Sequence, residues 1–131
     1  MRYLKLICFP LLHFGACSLP VNQEKLIGSW DYTRIENLNP NTEDSTTVED
    51  LKLSKPYIQF SANDRVKIVW DGKILSSGTY RLDGKMIRYK ENLPDGQVRE
   101  FPFLVSKLSE NEIVFETMTR QGTRVTAIKR E

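Results

Sequence analysis

The sequence predicts an all-β protein, an eight-stranded antiparallel up-and-down β-barrel preceded by a signal peptide. Three observations lead there. Apolar residues alternate with polar ones in short runs, the period of two that a half-buried strand requires. Turn dipeptides recur between the runs, at Asn63-Asp64, Asp71-Gly72, Asp83-Gly84, Asp95-Gly96, Glu110-Asn111 and Gln121-Gly122; their spacing of roughly 8 to 15 residues suits tight hairpins. No segment sustains a long helical period.

The first element is a signal peptide, residues 1–16. Arg2 and Lys5 make a basic start, Leu6 to Phe14 is almost wholly apolar, and the small residues Gly15 and Ala16 follow, which is the anatomy of an export signal. A membrane-spanning helix needs about 20 consecutive apolar residues; this run is shorter and contains Pro10 and His13. Phe14-Gly15-Ala16-Cys17 resembles the lipobox of bacterial lipoproteins. An ordinary signal peptidase would want a small residue where Phe14 stands. The resemblance implies a diacylglycerol on Cys17, cleavage before it, and a further acyl chain such as palmitate on the new amine. At roughly 0.8 kcal/mol per buried methylene, two or three chains are a permanent anchor. It also implies a place in the cell envelope, with Ser18 after the lipidated cysteine directing the protein to the outer membrane, facing the periplasm.

Cleavage at Cys17 changes what chemistry the chain can do. Of 19 basic residues, Arg2 and Lys5 are lost, leaving 17 against 17 acidic ones. A neutral chain gives no support to nucleic-acid binding. Cys8 and His13, the one histidine, go with the signal. Zinc sites of the Cys/His kind, Cys-His nucleophiles and Ser-His-Asp triads are then excluded, and no intramolecular disulfide can form. Neither a metal, nor a cofactor, nor catalysis is expected.

Residues 17–24 read as a short lipidated tether stiffened by Pro20, and residues 25–131 as the barrel domain. Its strands are expected in order at Leu26 to Glu36, Tyr57 to Ser61, Val66-Ile68-Trp70, Gly78-Tyr80-Leu82, Ile87-Tyr89, Phe101-Phe103-Val105, Ile113-Phe115 and Thr123 to Arg130. Sequential hairpins favour a closed barrel over a sandwich, which usually needs a long crossing connection. The one long connection, Asn37 to Pro56, is polar and holds Thr46-Thr47-Val48-Glu49, a capping-box pattern before Leu51 and Leu53. One helical turn is expected in it, and its length fits either a binding lid or a solvated insertion.

Leu26-Ile27-Gly28-Ser29-Trp30 resembles the Gly-x-Trp opening of lipocalins. Gly78-Thr79-Tyr80 and the closing Gly122-Thr123-Arg124-Val125 extend the likeness to the compact lipocalin-like domains found behind lipoboxes in Bacteroidetes-type bacteria. The resemblance implies that Gly28 and Trp30 are a structural signature, Trp30 closing the bottom of the barrel under a basic residue of the last strand. Arg124, Lys129 and Arg130 are the candidates.

Alternation aims Tyr32, Phe60, Trp70, Tyr80, Tyr89 and Phe103 inward. An eight-stranded barrel is just wide enough to be filled by side chains or to hold one small ligand, so these aromatics are either a ligand-binding lining or simply the core. Arg124 resembles the internal arginine of fatty-acid-binding relatives, although Thr126 stands where those place tyrosine. Arg81, Arg88, Lys90 and Arg99 read as solvent-facing strand charges that discourage edge-to-edge association. Two functions follow for a monomer anchored to a membrane: binding of a small hydrophobic or amphipathic ligand in the barrel mouth, or docking of an envelope protein through the loops of a filled barrel.

Overall fold

The computed structural model describes residues 20–39, 46–118 and 122–131; the lipobox and Cys17 lie outside them. Over these residues the chain forms a closed barrel in which each strand pairs with the next and the last pairs with the first. The elements are α1 (Gln23–Leu26), β1 (Gly28–Asn37), α2 (Val48–Ser54), β2 (Tyr57–Phe60), β3 (Arg65–Trp70), β4 (Lys73–Asp83), β5 (Met86–Asn92), β6 (Val98–Leu108), β7 (Glu112–Thr117) and β8 (Thr123–Lys129). Every pairing is antiparallel. The eight expected strands are all present, with two-residue hairpin loops where Trp70 pairs with Lys73 and Asp83 with Met86.

Three register shifts interrupt the alternation. Thr33 is extra on β1, between Tyr32 paired with Ala127 and Arg34 paired with Thr126. Leu75 is extra on β4, and Ser106 on β6. A bulge adds one residue to one strand and sharpens its bend, so the inward phase resumes after three residues instead of two: Tyr32 is followed by Ile35, and Val105 by Leu108, all packed on or in the core.

One glycine is fixed by a close approach. A Cβ on Gly78 would collide with the Lys90 carbonyl, so β4 and β5 can run this near each other only with glycine there.

The long connection contains α2, whose capping box is formed by Thr47 and Asp50. The sequence suggested Thr46 and Glu49; the true pair lies one residue on. Thr47 Oγ1 accepts from the Asp50 amide at 3.2 Å, and the Asp50 carboxylate accepts from the Thr47 amide at 3.0 Å. That hydrogen bonding holds the Asp50 carboxyl below the usual range. Leu51 is buried and Leu53 is exposed.

Candidate functional site

The two ends of the barrel are built differently. One is formed by the start of β1 and the hairpins β2–β3, β4–β5 and β6–β7, and it is sealed. The N-terminal chain runs across it: the Val21 amide donates to the Gly84 carbonyl at 2.8 Å, and α1, capped by the Asn22 side chain, places Leu26 fully inside. Trp30 is fully buried, and its indole N–H donates to the Leu26 carbonyl at 2.9 Å. Over its ring lies the Lys129 ammonium, 5.3 Å from the centroid, which also donates to the Lys25 carbonyl. Of the three candidates, Lys129 is therefore the basic partner, and β8 delivers it by pairing Lys129 directly with Trp30. Gly28 is required beside it: its φ is +137°, and a Cβ would stand 2.9 Å from Lys129 Cε.

Arg130 turns instead to Asp31, bonding Oδ1 at 2.5 Å, and lies over the Tyr57 ring. Arg124 is on the outer face, paired with Glu116 at 3.0 Å and near Glu36 at 3.6 Å. An internal carboxylate-binding role for Arg124 is excluded by that placement.

Phe60 and Tyr80, expected among the lining aromatics, belong to the sealed end. They meet edge to face, 5.2 Å apart, and the Tyr80 hydroxyl donates to the Ser61 carbonyl and accepts from Gln23. Its burial pushes the phenol above its ordinary range.

Deeper in, Phe103 and Tyr89 form a floor in mid-barrel. Both are buried; Phe103 contacts Tyr89, Phe101 and Phe115, and Phe101 stacks on Tyr89 at 5.2 Å. Above this floor the inward-phase residues keep accessible surface. Tyr32, Ile35, Ile68 and Phe101 pack on the core but are only partly buried, and so are Ser76, Glu91 and Thr117. Together they outline a cup open at the end opposite Trp30. Trp70 shares the phase of Val66 and Ile68 on β3, but it is half-buried at the rim and does not join the core cluster.

Tyr32 is the wall residue with a free function. Its ring meets Phe115 edge-on at 6.2 Å, and desolvation, reinforced by the neighbouring Tyr89, pushes its phenol well above the ordinary value of 10.0. Among the described residues its hydroxyl has no hydrogen-bond partner. Every fully buried side-chain nitrogen or oxygen there does have one, so the Tyr32 hydroxyl opens onto the cup. Being surrounded by protein yet retaining surface is what lining a recess entails.

On the opposite wall stands a polar chain that sequence reading missed. Ser76 Oγ lies 2.5 Å from the Tyr89 hydroxyl and donates to Glu91 Oε2. Glu91 Oε1 accepts from Arg99 Nη2 at 2.7 Å, and the Arg99 guanidinium sits 5.1 Å over the Phe101 ring. The Glu91 side chain is only 13% exposed, against 63% for Arg99. Arg99 is thus not a plain outer-face charge like Arg81 and Lys90: β6 pairs it with Glu91, two residues beyond the Tyr89–Phe101 pair, in the inward phase at the mouth. The available signal was spacing, since Glu91 continues the series Ile87, Tyr89.

Compared with models of protein families and with curated proteins, the sequence matches none.

Proposed function

We propose that the protein is a lipid-anchored envelope protein of the lipocalin-like kind, which binds a small hydrophobic or amphipathic molecule in the open half of its barrel and does no chemistry on it. The observation that carries this reading is the grouping at the open end of the partly buried Tyr32, Ile35, Ile68 and Phe101 with the polar Ser76, Glu91 and Thr117, above the buried Tyr89 and Phe103; at the sealed end Leu82 and Leu108 are partly buried too, but among the described residues no comparable set of polar side chains joins them. Aromatic and aliphatic walls with a few convergent polar groups are the composition of small-molecule sites.

The anchor fits the same geometry. Cys17 precedes Val21 by four residues, at most about 14 Å of extended chain, and Val21 is bonded to the sealed end. A lipid on Cys17 therefore holds the sealed end to the membrane and turns the mouth away from it, toward the periplasm for an outer-membrane protein.

All eight strands, α1 and the core lie at or after Val21, so a chain beginning at Ser18 contains the whole folded unit. With that chain, native mass spectrometry and titration with N-phenyl-1-naphthylamine, a neutral dye that fluoresces in apolar surroundings, test the cup. A copurifying small molecule or a saturable dye signal is expected; an empty barrel with no saturable signal would sink the reading. For the anchor, Cys17→Ser in the full chain should abolish labelling with radioactive palmitate, and persistent labelling would refute it.

A second reading has its own observation. Exposed apolar residues gather at the open end, on α2 (Val48, Leu53), on the β3–β4 hairpin (Ile74, Leu75) and after β7 (Met118), and apolar surface collected on one rim suits a protein partner. In that case a specific envelope protein is captured by the wild type and lost with Ile74→Glu and Leu75→Glu, while the dye finds no site.

A further inference from the structure

Arg81, Arg88 and Lys90 have no edge to guard, because a barrel whose last strand pairs with its first leaves no edge strand. They belong instead to an uneven distribution of charge over the outer wall. On the side formed by β6, β7, β8 and β1, Lys107, Arg124, Arg130 and Arg34 are each paired with a carboxylate, from Glu112, Glu116, Asp31 and Glu36 respectively. On the outer face of β3, β4 and β5 and the turn at their sealed end, six cations, Arg65, Lys67, Arg81, Lys85, Arg88 and Lys90, meet three carboxylates, Asp64, Asp83 and Glu100 of the adjoining β6. Asp83 engages Arg88 at 2.8 Å, Glu100 engages Arg81 at 3.4 Å, and Asp64 accepts from Gln23. Arg65, Lys67, Lys85 and Lys90 have no ion-pair partner among the described residues.

Strand pairing brings these cations together. Arg81 lies directly opposite Arg88, and Arg65 and Lys90 flank Thr79 from either side; neighbouring strands stand about 4.8 Å apart and alternate residues of one strand about 6.7 Å. Like charges directly opposite each other cost stability. An anionic surface laid across the cluster relieves that repulsion.

The position of the cluster says which surface. Arg81, Lys85, Arg88 and Lys90 all belong to the β4–β5 hairpin, whose turn residue Gly84 accepts from the Val21 amide at 2.8 Å. The N-terminal chain, which carries the acyl chains in the lipid-anchor reading, therefore leaves the barrel beside them. Leaning on this wall brings the cluster onto the headgroups and keeps the mouth clear. Guanidinium groups match phosphate oxygens two at a time, and a basic patch next to an acyl anchor adds to its hold on an anionic membrane. A protein partner fits less well: lysine is depleted from protein interfaces, and among the described residues no exposed large apolar side chain sits within the cluster to form an interface core.

We propose that the outer face of β3, β4 and β5, at its sealed end, lies on the anionic phospholipid surface of the membrane that holds the anchor and so sets the direction in which the barrel leans. The choice of membrane rests on the lipid-anchor reading; the affinity of the wall for anionic lipid does not.

Sedimentation of the unlipidated chain beginning at Ser18 with vesicles tests that affinity. At about 0.05 M salt it should bind vesicles of phosphatidylglycerol and phosphatidylethanolamine at least about tenfold more tightly than vesicles of phosphatidylcholine, and about 0.5 M salt should remove the difference. The double variant Arg65→Gln, Lys90→Gln takes away two cations that hold no ion pair among the described residues and should weaken anionic binding about tenfold or more. Arg34→Gln with Lys107→Gln makes the same change in net charge on the opposite side and should stay within about threefold of the wild type. Far-ultraviolet circular dichroism identical to the wild type in both variants keeps loss of binding distinct from loss of fold. Equal losses in the two double variants would overturn the proposal, since the vesicles would then be reading net charge and not this wall; so would equal binding to neutral vesicles, or none to anionic ones. Persistent palmitate labelling of Cys17→Ser would overturn the choice of membrane and leave the affinity of the wall standing.

Discussion

At the sealed end, Trp30, Phe60 and Tyr80 fill the barrel, and each of their polar groups is matched, the indole N–H by the Leu26 carbonyl and the phenol by Ser61 and Gln23. At the open end the same strands present Tyr32, Ser76, Glu91 and Phe101 to a recess that they do not fill. Both ends follow the same period of two, and the difference lies in what crosses them. Val21, α1 and Lys129 cover one, while among the described residues the other has hairpins and α2 at its rim. Inward alternation thus says which side chains enter a barrel, and a separate covering element decides whether they become core or lining.

The widest separation between the ends should appear in paired truncations. Phe60→Ala, at a fully buried site, is expected to cost about 3–5 kcal/mol in urea unfolding. Phe101→Ala, at the partly accessible wall, should cost roughly half of that or less, because part of its surface is already in contact with solvent. Equal losses would show that the open end is packed as tightly as the sealed one.

Gly78→Ala probes the strands that the two ends share. The added Cβ meets the Lys90 carbonyl and not a movable side chain, so a loss of about 1–3 kcal/mol is expected, with an unchanged denaturant slope.

Alkaline titration separates lining from core in another way. Tyr32, Tyr80 and Tyr89 all have phenol pKa values raised above 10.0, with desolvation the largest cause in each. The folded state holds these protons more tightly than the unfolded chain. Their contribution to stability is therefore fully present below pH 10.0 and is lost as pH rises above it, through the raised folded values. Tyr32→Phe should make the fall in unfolding midpoint above pH 10 shallower; an identical profile would mean that Tyr32 is open to bulk water.

The smallest effect concerns the cover itself. Lys129→Met keeps the stem over Trp30 and removes the charge, so about 0.5–1 kcal/mol should be lost, with a shift in tryptophan emission. No change in either would assign the sealing of that end to α1 alone.

Most of the fold was legible because alternation and hairpin turns are local. The eight strands, their order and the Gly28-x-Trp30 opening needed no long-range information. The partner of Trp30 did: choosing among Arg124, Lys129 and Arg130 requires the register of β1 on β8, and the bulge at Thr33 displaces that register by one residue. The aromatics were found as a set but not sorted into core and lining, since alternation carries no depth. Arg99 was read as a plain outer-face charge, and Glu91 was passed over, for a different reason. Charges on strands ordinarily face water, and only the cross-strand pairing of these two, with Ser76 beside them, makes an inward carboxylate tolerable.

The bond between the Val21 amide and the Gly84 carbonyl has a mechanical side. It ties the incoming chain to the β4–β5 hairpin at the sealed end, so a pull on the N-terminus is borne by that hairpin and the α1 plug before it reaches the strands. The mouth lies at the far end of the load path.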